Sequence, residues 1–137
     1  MTIRQQELFD EIYQELFEKI ETLLEENEKY KDIDIYGHNF TTQDLIDLAY
    51  NKFYEECKEL IEDLDTIGCY HYYDEFVDEN DIESYIQYTF KGISILNKLE
   101  KQYPNIYSAI DWEQAINNEI NNYTIINLNK GTYYLVS

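Results

Sequence analysis

The sequence predicts an α+β fold, predominantly helical with about four helices and a C-terminal β-hairpin. Three observations carry this. Apolar residues recur at steps of three and four along most of the chain, and the stretch after Tyr123 switches to β-branched and aromatic runs. Only four glycines and one proline punctuate 137 residues, so loops are few and short. The length fits a single domain, residues 1–137, and the 16% aromatic content separates it from a disordered acidic tail.

The first helix is predicted from about Thr2 to Lys29. Leu8, Ile12, Leu16, Ile20 and Leu24 form its stripe, with Phe9, Tyr13, Phe17 and Leu23 alongside. Glu7, Glu11, Glu15, Glu18, Glu21 and Glu25 run along the opposite side. Asp32-Ile33-Asp34-Ile35-Tyr36 then alternates with period two up to Gly37, a short strand that is a candidate third strand for the hairpin over Ile33 to Tyr36. Thr41-Thr42-Gln43-Asp44 is a capping signal, a hydroxyl followed three positions on by a carboxylate. The helix it opens runs to about Asp65 on Leu45, Leu48, Ala49, Phe53, Cys57, Leu60, Ile61 and Leu64, and Gly68 suits its exit.

From Cys69 to Asn80 the chain is aromatic first and acidic after, and a short helical turn is expected there. A third helix, capped by Asn80 or Asp81, follows from Ile82 to Gln102 and stops at Pro104; Gly92 within it implies close packing. Ser108 or Asp111 caps a fourth helix from Trp112 to about Asn121. Tyr123 to Leu128 and Thr132 to Val136 read as two strands around Asn129-Lys130-Gly131, a three-residue loop in which Gly131 can supply a positive φ. A lone hairpin is marginal in water, so it is expected to pack on the helices.

Chemistry is harder to find. Cys69-x-His71 with Asp74 and Glu75 brings possible ligands together, but no second Cys or His pair completes a zinc site, and no metal or other cofactor is expected. Cys57 lies on an apolar stripe, where an inert thiol is usual. The four glycines are scattered, so no phosphate loop exists, and Asp32-x-Asp34 lacks the later ligands of a calcium loop. With 29 acids in the chain, carboxylate pairs arise by chance, so acid–base catalysis does not follow and the expectation is not an enzyme. Two cysteines outside any CxxC pair, the lack of a leader-like start and the lack of a long apolar run point to a cytoplasmic protein.

Charge carries more information. The formal net charge is −19, which excludes direct binding to nucleic acid or to an anionic membrane as the main activity. All but one unit of that charge lies in residues 1–100. The densest stretch is 55–83, where Glu55, Glu56, Glu59, Glu62, Asp63, Asp65, Asp74, Glu75, Asp78, Glu79, Asp81 and Glu83 face Lys58 alone, a balance of −11. Like charges four apart on a helix cost about 0.2–0.5 kcal/mol per pair, and a surface selected for solubility alone would mix signs. The sharper reading is a polyanion-like surface. Carboxylates four residues apart lie about 6 Å apart along a helix, against about one charge per 1.7 Å of duplex DNA, so two or three acidic helices side by side approach it. Tyr72 and Tyr73, among several interleaved tyrosines, add contact area suited to a protein interface.

A small, acidic, Tyr- and Asn-rich helical chain resembles the DNA-mimic anti-defence proteins of phages and mobile elements, which include anti-CRISPR and antirestriction proteins. Ile110-Asp111-Trp112-Glu113-Gln114-Ala115, continuing through Asn122-Tyr123 to Gly131-Thr132-Tyr133-Tyr134, is similar to the ending of ArdA-type antirestriction proteins. That ending pairs an (F/I)-D-(W/Y)-E-x-A helix start with a terminal hairpin. The resemblance implies a stoichiometric inhibitor in a bacterial host, whose partner is a basic nucleic-acid-binding protein such as a Cas effector or restriction enzyme. The alternative reading is an immunity or antitoxin-type protein that neutralises a basic toxin or nuclease outside its nucleic-acid groove. Beside its Leu/Ile row, the first helix carries Phe9, Tyr13 and Phe17, a stripe wide enough to admit a homodimer.

Overall fold

A computed structural model describes residues 2–136. The fold is α+β, with helices dominating and a four-stranded sheet that includes both C-terminal strands. The chain divides into two compact units, a helical one (Arg4–Asp74 with Leu128–Lys130) and one built on the sheet (Glu75–Asn127 with 2–3 and 131–136).

In the helical unit, α1 (Gln5–Glu26) is followed by a single 3-10 turn (Glu28–Tyr30), α2 (Thr42–Lys52) and α3 (Tyr54–Gly68). Leu8, Ile12, Leu16 and Ile20 of α1 are fully buried at strict four-residue spacing. Four residues advance slightly more than one turn, so these side chains make a narrow stripe against a neighbour. That neighbour is α3, whose Cys57, Ile61, Leu64 and Ile67 are buried too. The buried Gln5 amide donates to the Ile67 carbonyl at 2.8 Å, so the polar residue at the start of α1 is satisfied. The capping box stands as expected: the Thr41 hydroxyl accepts from Asp44 N at 3.1 Å and Asp44 Oδ2 accepts from Thr41 N at 2.9 Å.

Two expectations fail here. The helix expected from Thr42 to Asp65 is two helices, broken at Phe53 (φ −132°, ψ 33°). Phe53 is buried and meets Tyr30 edge to face at 5.2 Å, so its apolar character continues the stripe while its backbone turns. The strand expected over Ile33 to Tyr36 is a bend. Asp34 Oδ1 accepts from Tyr36 N at 2.9 Å, an Asx turn, Ile35 is buried, and the Tyr36 hydroxyl donates to Glu21. The alternation reflects one inward isoleucine between local turn-formers. Gly68 closes α3 without a left-handed residue, since no glycine among the described residues has positive φ.

In the second unit the sheet order is β1-β2-β4-β3, with β1 at Ile3–Arg4, β2 at Glu75–Asp78, β3 at Thr124–Asn127 and β4 at Thr132–Leu135. β2 and β4 pair antiparallel with Val77 opposite Tyr134, and β3 and β4 with Ile126 opposite Tyr133. The helices are α4 (Ile82–Lys91), α5 (Ser94–Gln102), α6 (Pro104–Ser108) and α7 (Trp112–Ile120). Val77, Ile82, Ile86 and Ile116 form the core of this unit, with Tyr134 and Val136 packed against them, so the hairpin does pack on helices.

The expected helical turn between Cys69 and Asn80 is replaced in part by β2. Phe76 and Val77 are adjacent and both buried, so four residues with two-sided burial show no alternation. The helix expected from Ile82 to Gln102 ends at Lys91 and restarts at Ser94, with Gly92 as its C-cap rather than a close-packed interior residue. Pro104 stops α5 and opens α6 at its first position, where its missing N–H costs nothing. Of the two proposed caps for α7, Asp111 is the one used, accepting from Gln114 N at 3.1 Å. Between the paired Asn127 and Thr132 the hairpin loop has four residues, and Gly131 needs no positive φ.

Candidate functional site

The acidic window of residues 55–83 falls across the boundary between the units. Glu55, Glu56, Glu59, Glu62, Asp63, Asp65, Tyr72, Tyr73 and Asp74 belong to the helical unit; Glu75, Asp78, Glu79, Asp81 and Glu83 belong to the sheet unit. Charge is concentrated in the helical unit, with twenty carboxylates against seven bases, −13; the other unit has nine against three, −6.

On α3, Glu55, Glu59 and Glu62 follow steps of four and three, so they share one stripe, and all three are exposed. Glu56 and Asp65 are exposed on its flanks. Alongside, α1 presents the exposed Glu7, Asp10, Glu11, Glu15 and Glu18. Density along the sequence missed this second row, because α1 and α3 are separated in the chain; its signal was the repeated Glu at four-residue spacing. Between the two helices runs a groove of about 680 Å³, bordered by Glu15, Glu55, Glu56 and Glu59. Lys19, Lys58 and Lys130 also line it, and the Lys130 ammonium lies 2.9 Å from Glu15 and 3.4 Å from Glu11. The field there is therefore partly balanced, for Glu55 and Glu59 as well as for Glu15.

Asp63 does not belong to that surface. It is 3% exposed, and its two carboxylate oxygens accept from the amides of Asn129 at 2.8 Å and Lys130 at 3.0 Å. Its role is to close a loop, and a partner's cation has no access to it. Glu62 stays exposed but accepts from the Asn129 side chain at 3.1 Å.

After α3 the chain makes a tight turn. Asp74 N donates to the His71 carbonyl at 2.9 Å, and Asp74 Oδ2 accepts from His71 N at 2.9 Å. The two central residues of this turn are Tyr72 and Tyr73, 72% and 60% exposed. The Tyr73 ring stacks on His71 at 5.2 Å and meets Tyr72 edge to face at 5.4 Å, so a small aromatic knob stands in solvent. In the sheet unit, Asp78 Oδ1 accepts from Asn80 N at 2.8 Å, which shapes the entry to α4, and Glu79, Asp81 and Glu83 are exposed around it.

The reactive candidates are engaged elsewhere. Burial pushes the Cys57 thiol up, Lys19 pulls against this and Glu56 adds to it, so thiolate is scarce at neutral pH. The Cys69 thiol donates to the Asp65 carbonyl at 3.3 Å. Among the described residues no three His, Cys, Asp or Glu side chains converge as a metal site, and no helix is long and apolar enough to cross a membrane. Comparison with family models, with curated proteins and with solved structures finds no match to this chain.

Proposed function

We propose that this protein is a stoichiometric inhibitor that presents carboxylates to the phosphate-binding groove of a bacterial defence nuclease, a CRISPR effector or a restriction enzyme. The observation that carries the reading is the doubled acidic row within the helical unit, whose net charge is −13, with Glu55, Glu59 and Glu62 exposed on one stripe beside the acids of α1. Two parallel rows at about 6 Å spacing bring charge closer to the density of a duplex than one helix can. Clustered like charges cost helix stability, which a purely solvating surface has no reason to accept.

The alternative, an immunity or antitoxin-type protein bound outside the groove of its toxin, is favoured by one feature. Tyr72 and Tyr73 form an exposed aromatic knob of the kind that anchors a specific interface, and such a contact depends little on salt.

The test is capture of partners from bacterial lysate at about 0.1 M and about 0.5 M salt, with and without duplex DNA. A nuclease released by salt and by DNA is the expected result, with affinity falling at least about tenfold over that salt range. Glu55→Gln/Glu59→Gln/Glu62→Gln should then relieve inhibition, whereas Tyr72→Ala/Tyr73→Ala should matter less. Inhibition that survives the triple charge removal would sink the mimic reading, and a partner that resists both salt and DNA would favour the alternative.

A further inference from the structure

We infer that the sheet unit holds a binding site for a small quaternary ammonium compound, in the cleft between the end of α4, α5, α6 and the start of α7. The cleft has a volume of about 510 Å³, within the range of small-molecule sites, about 300–1,000 Å³. Three aromatic rings line it. Trp112 packs against both Phe90 (6.0 Å, tilted 44°) and Tyr107 (5.3 Å, tilted 58°), so the three rings are tilted against one another rather than stacked flat. Each is half-buried and lines the cleft, while Ile116 and Leu96 supply apolar lining.

The polar groups select the occupant. The Glu100 carboxylate and the Tyr107 side chain both lie in the lining. An aromatic lining offers the negative faces of its rings, and a carboxylate at its side offers a full negative charge; both attract a diffuse, weakly hydrated cation. The unit's three bases, Lys91, Lys98 and Lys101, all lie at the end of α4 and on α5, so the preference rests on Glu100 and the rings and not on the unit's net charge of −6. Lys91 is the one base of the lining and opposes this occupant, so its removal should strengthen binding where removal of Glu100 weakens it. Neither α5 nor α6 buries a residue within the fold, so this wall is not committed to the core.

Trp112 is the chain's one tryptophan, so intrinsic fluorescence reads the cleft directly. The full-length chain is titrated with choline chloride at constant ionic strength, and with 3,3-dimethylbutanol, which has the same shape without the charge. A saturable choline response is expected, with the neutral analogue about tenfold weaker. Glu100→Gln should weaken choline about fivefold, and Lys91→Gln should tighten it. The inference is overturned if the neutral analogue binds as well as choline, or if choline up to about 50 mM gives no saturable change. The wild-type comparison stands even if a variant folds poorly. A trimethyl-lysine peptide binding about tenfold more tightly than choline would overturn the small-molecule assignment by placing the cation on a partner protein.

Discussion

Asp63 shows how one carboxylate among twenty-nine can have a role unlike the rest. Its two oxygens each accept a backbone amide, from Asn129 and Lys130, in a position closed to solvent. A carboxylate suits this because it is acceptor-only, and two convergent N–H groups need two acceptors. Asp63→Ala removes both of these buried acceptors and should cost about 2–4 kcal/mol in chemical denaturation. Asp63→Asn keeps one acceptor and should cost less than half as much. A loss under about 0.5 kcal/mol for Asp63→Ala would mean that water reaches the loop and replaces the side chain. Sequence alone could not separate Asp63 from Glu59 or Glu62, since all sit in the same acidic helix and what distinguishes it is a segment 66 residues away.

At the scale of elements, legibility followed the length over which a pattern repeats. α1 has four buried residues at one spacing and was readable throughout; the hairpin was readable from its two β-rich runs. β2 was not, because two adjacent buried residues in a four-residue strand carry no period. The breaks at Phe53 and at Gly92-Ile93 were hidden for a related reason: the apolar stripe runs through both, so periodicity continues where the backbone does not. Two of the three expected N-caps, Thr41 and Asp111, accept from a first-turn amide, whereas Asp81 precedes α4 without a side-chain cap hydrogen bond, so a hydroxyl or carboxylate at the right offset is a good but incomplete signal. The Thr41–Asp44 box can be tested directly. Thr41→Ala and Asp44→Ala should each cost about 1 kcal/mol by urea denaturation. The double variant should cost less than their sum, because either change alone weakens the same first turn. Strict additivity would mean that the two hydrogen bonds act independently.

For the molecule as a whole, the strongest influence is the net charge of −19 on 137 residues. The acidic candidate site was legible as composition but not as a surface, because the chain divides its densest window between two units and assembles the helical row from α1 and α3 instead. Folding brings these carboxylates closer than they are in the unfolded chain, so self-repulsion weighs on the native state most when screening is weak. Raising sodium chloride from about 0.02 M to about 0.3 M shortens the screening distance several-fold and should raise Tm by about 3–8 °C. The same salt should weaken capture of a basic partner, since that complex gains from the charges that strain the free protein. Fold stability and partner affinity should therefore move in opposite directions along one salt series, read by thermal melts and by binding on the same samples. If both rise together, the carboxylates are not the contact; if Tm is flat, their repulsion is already offset within the fold.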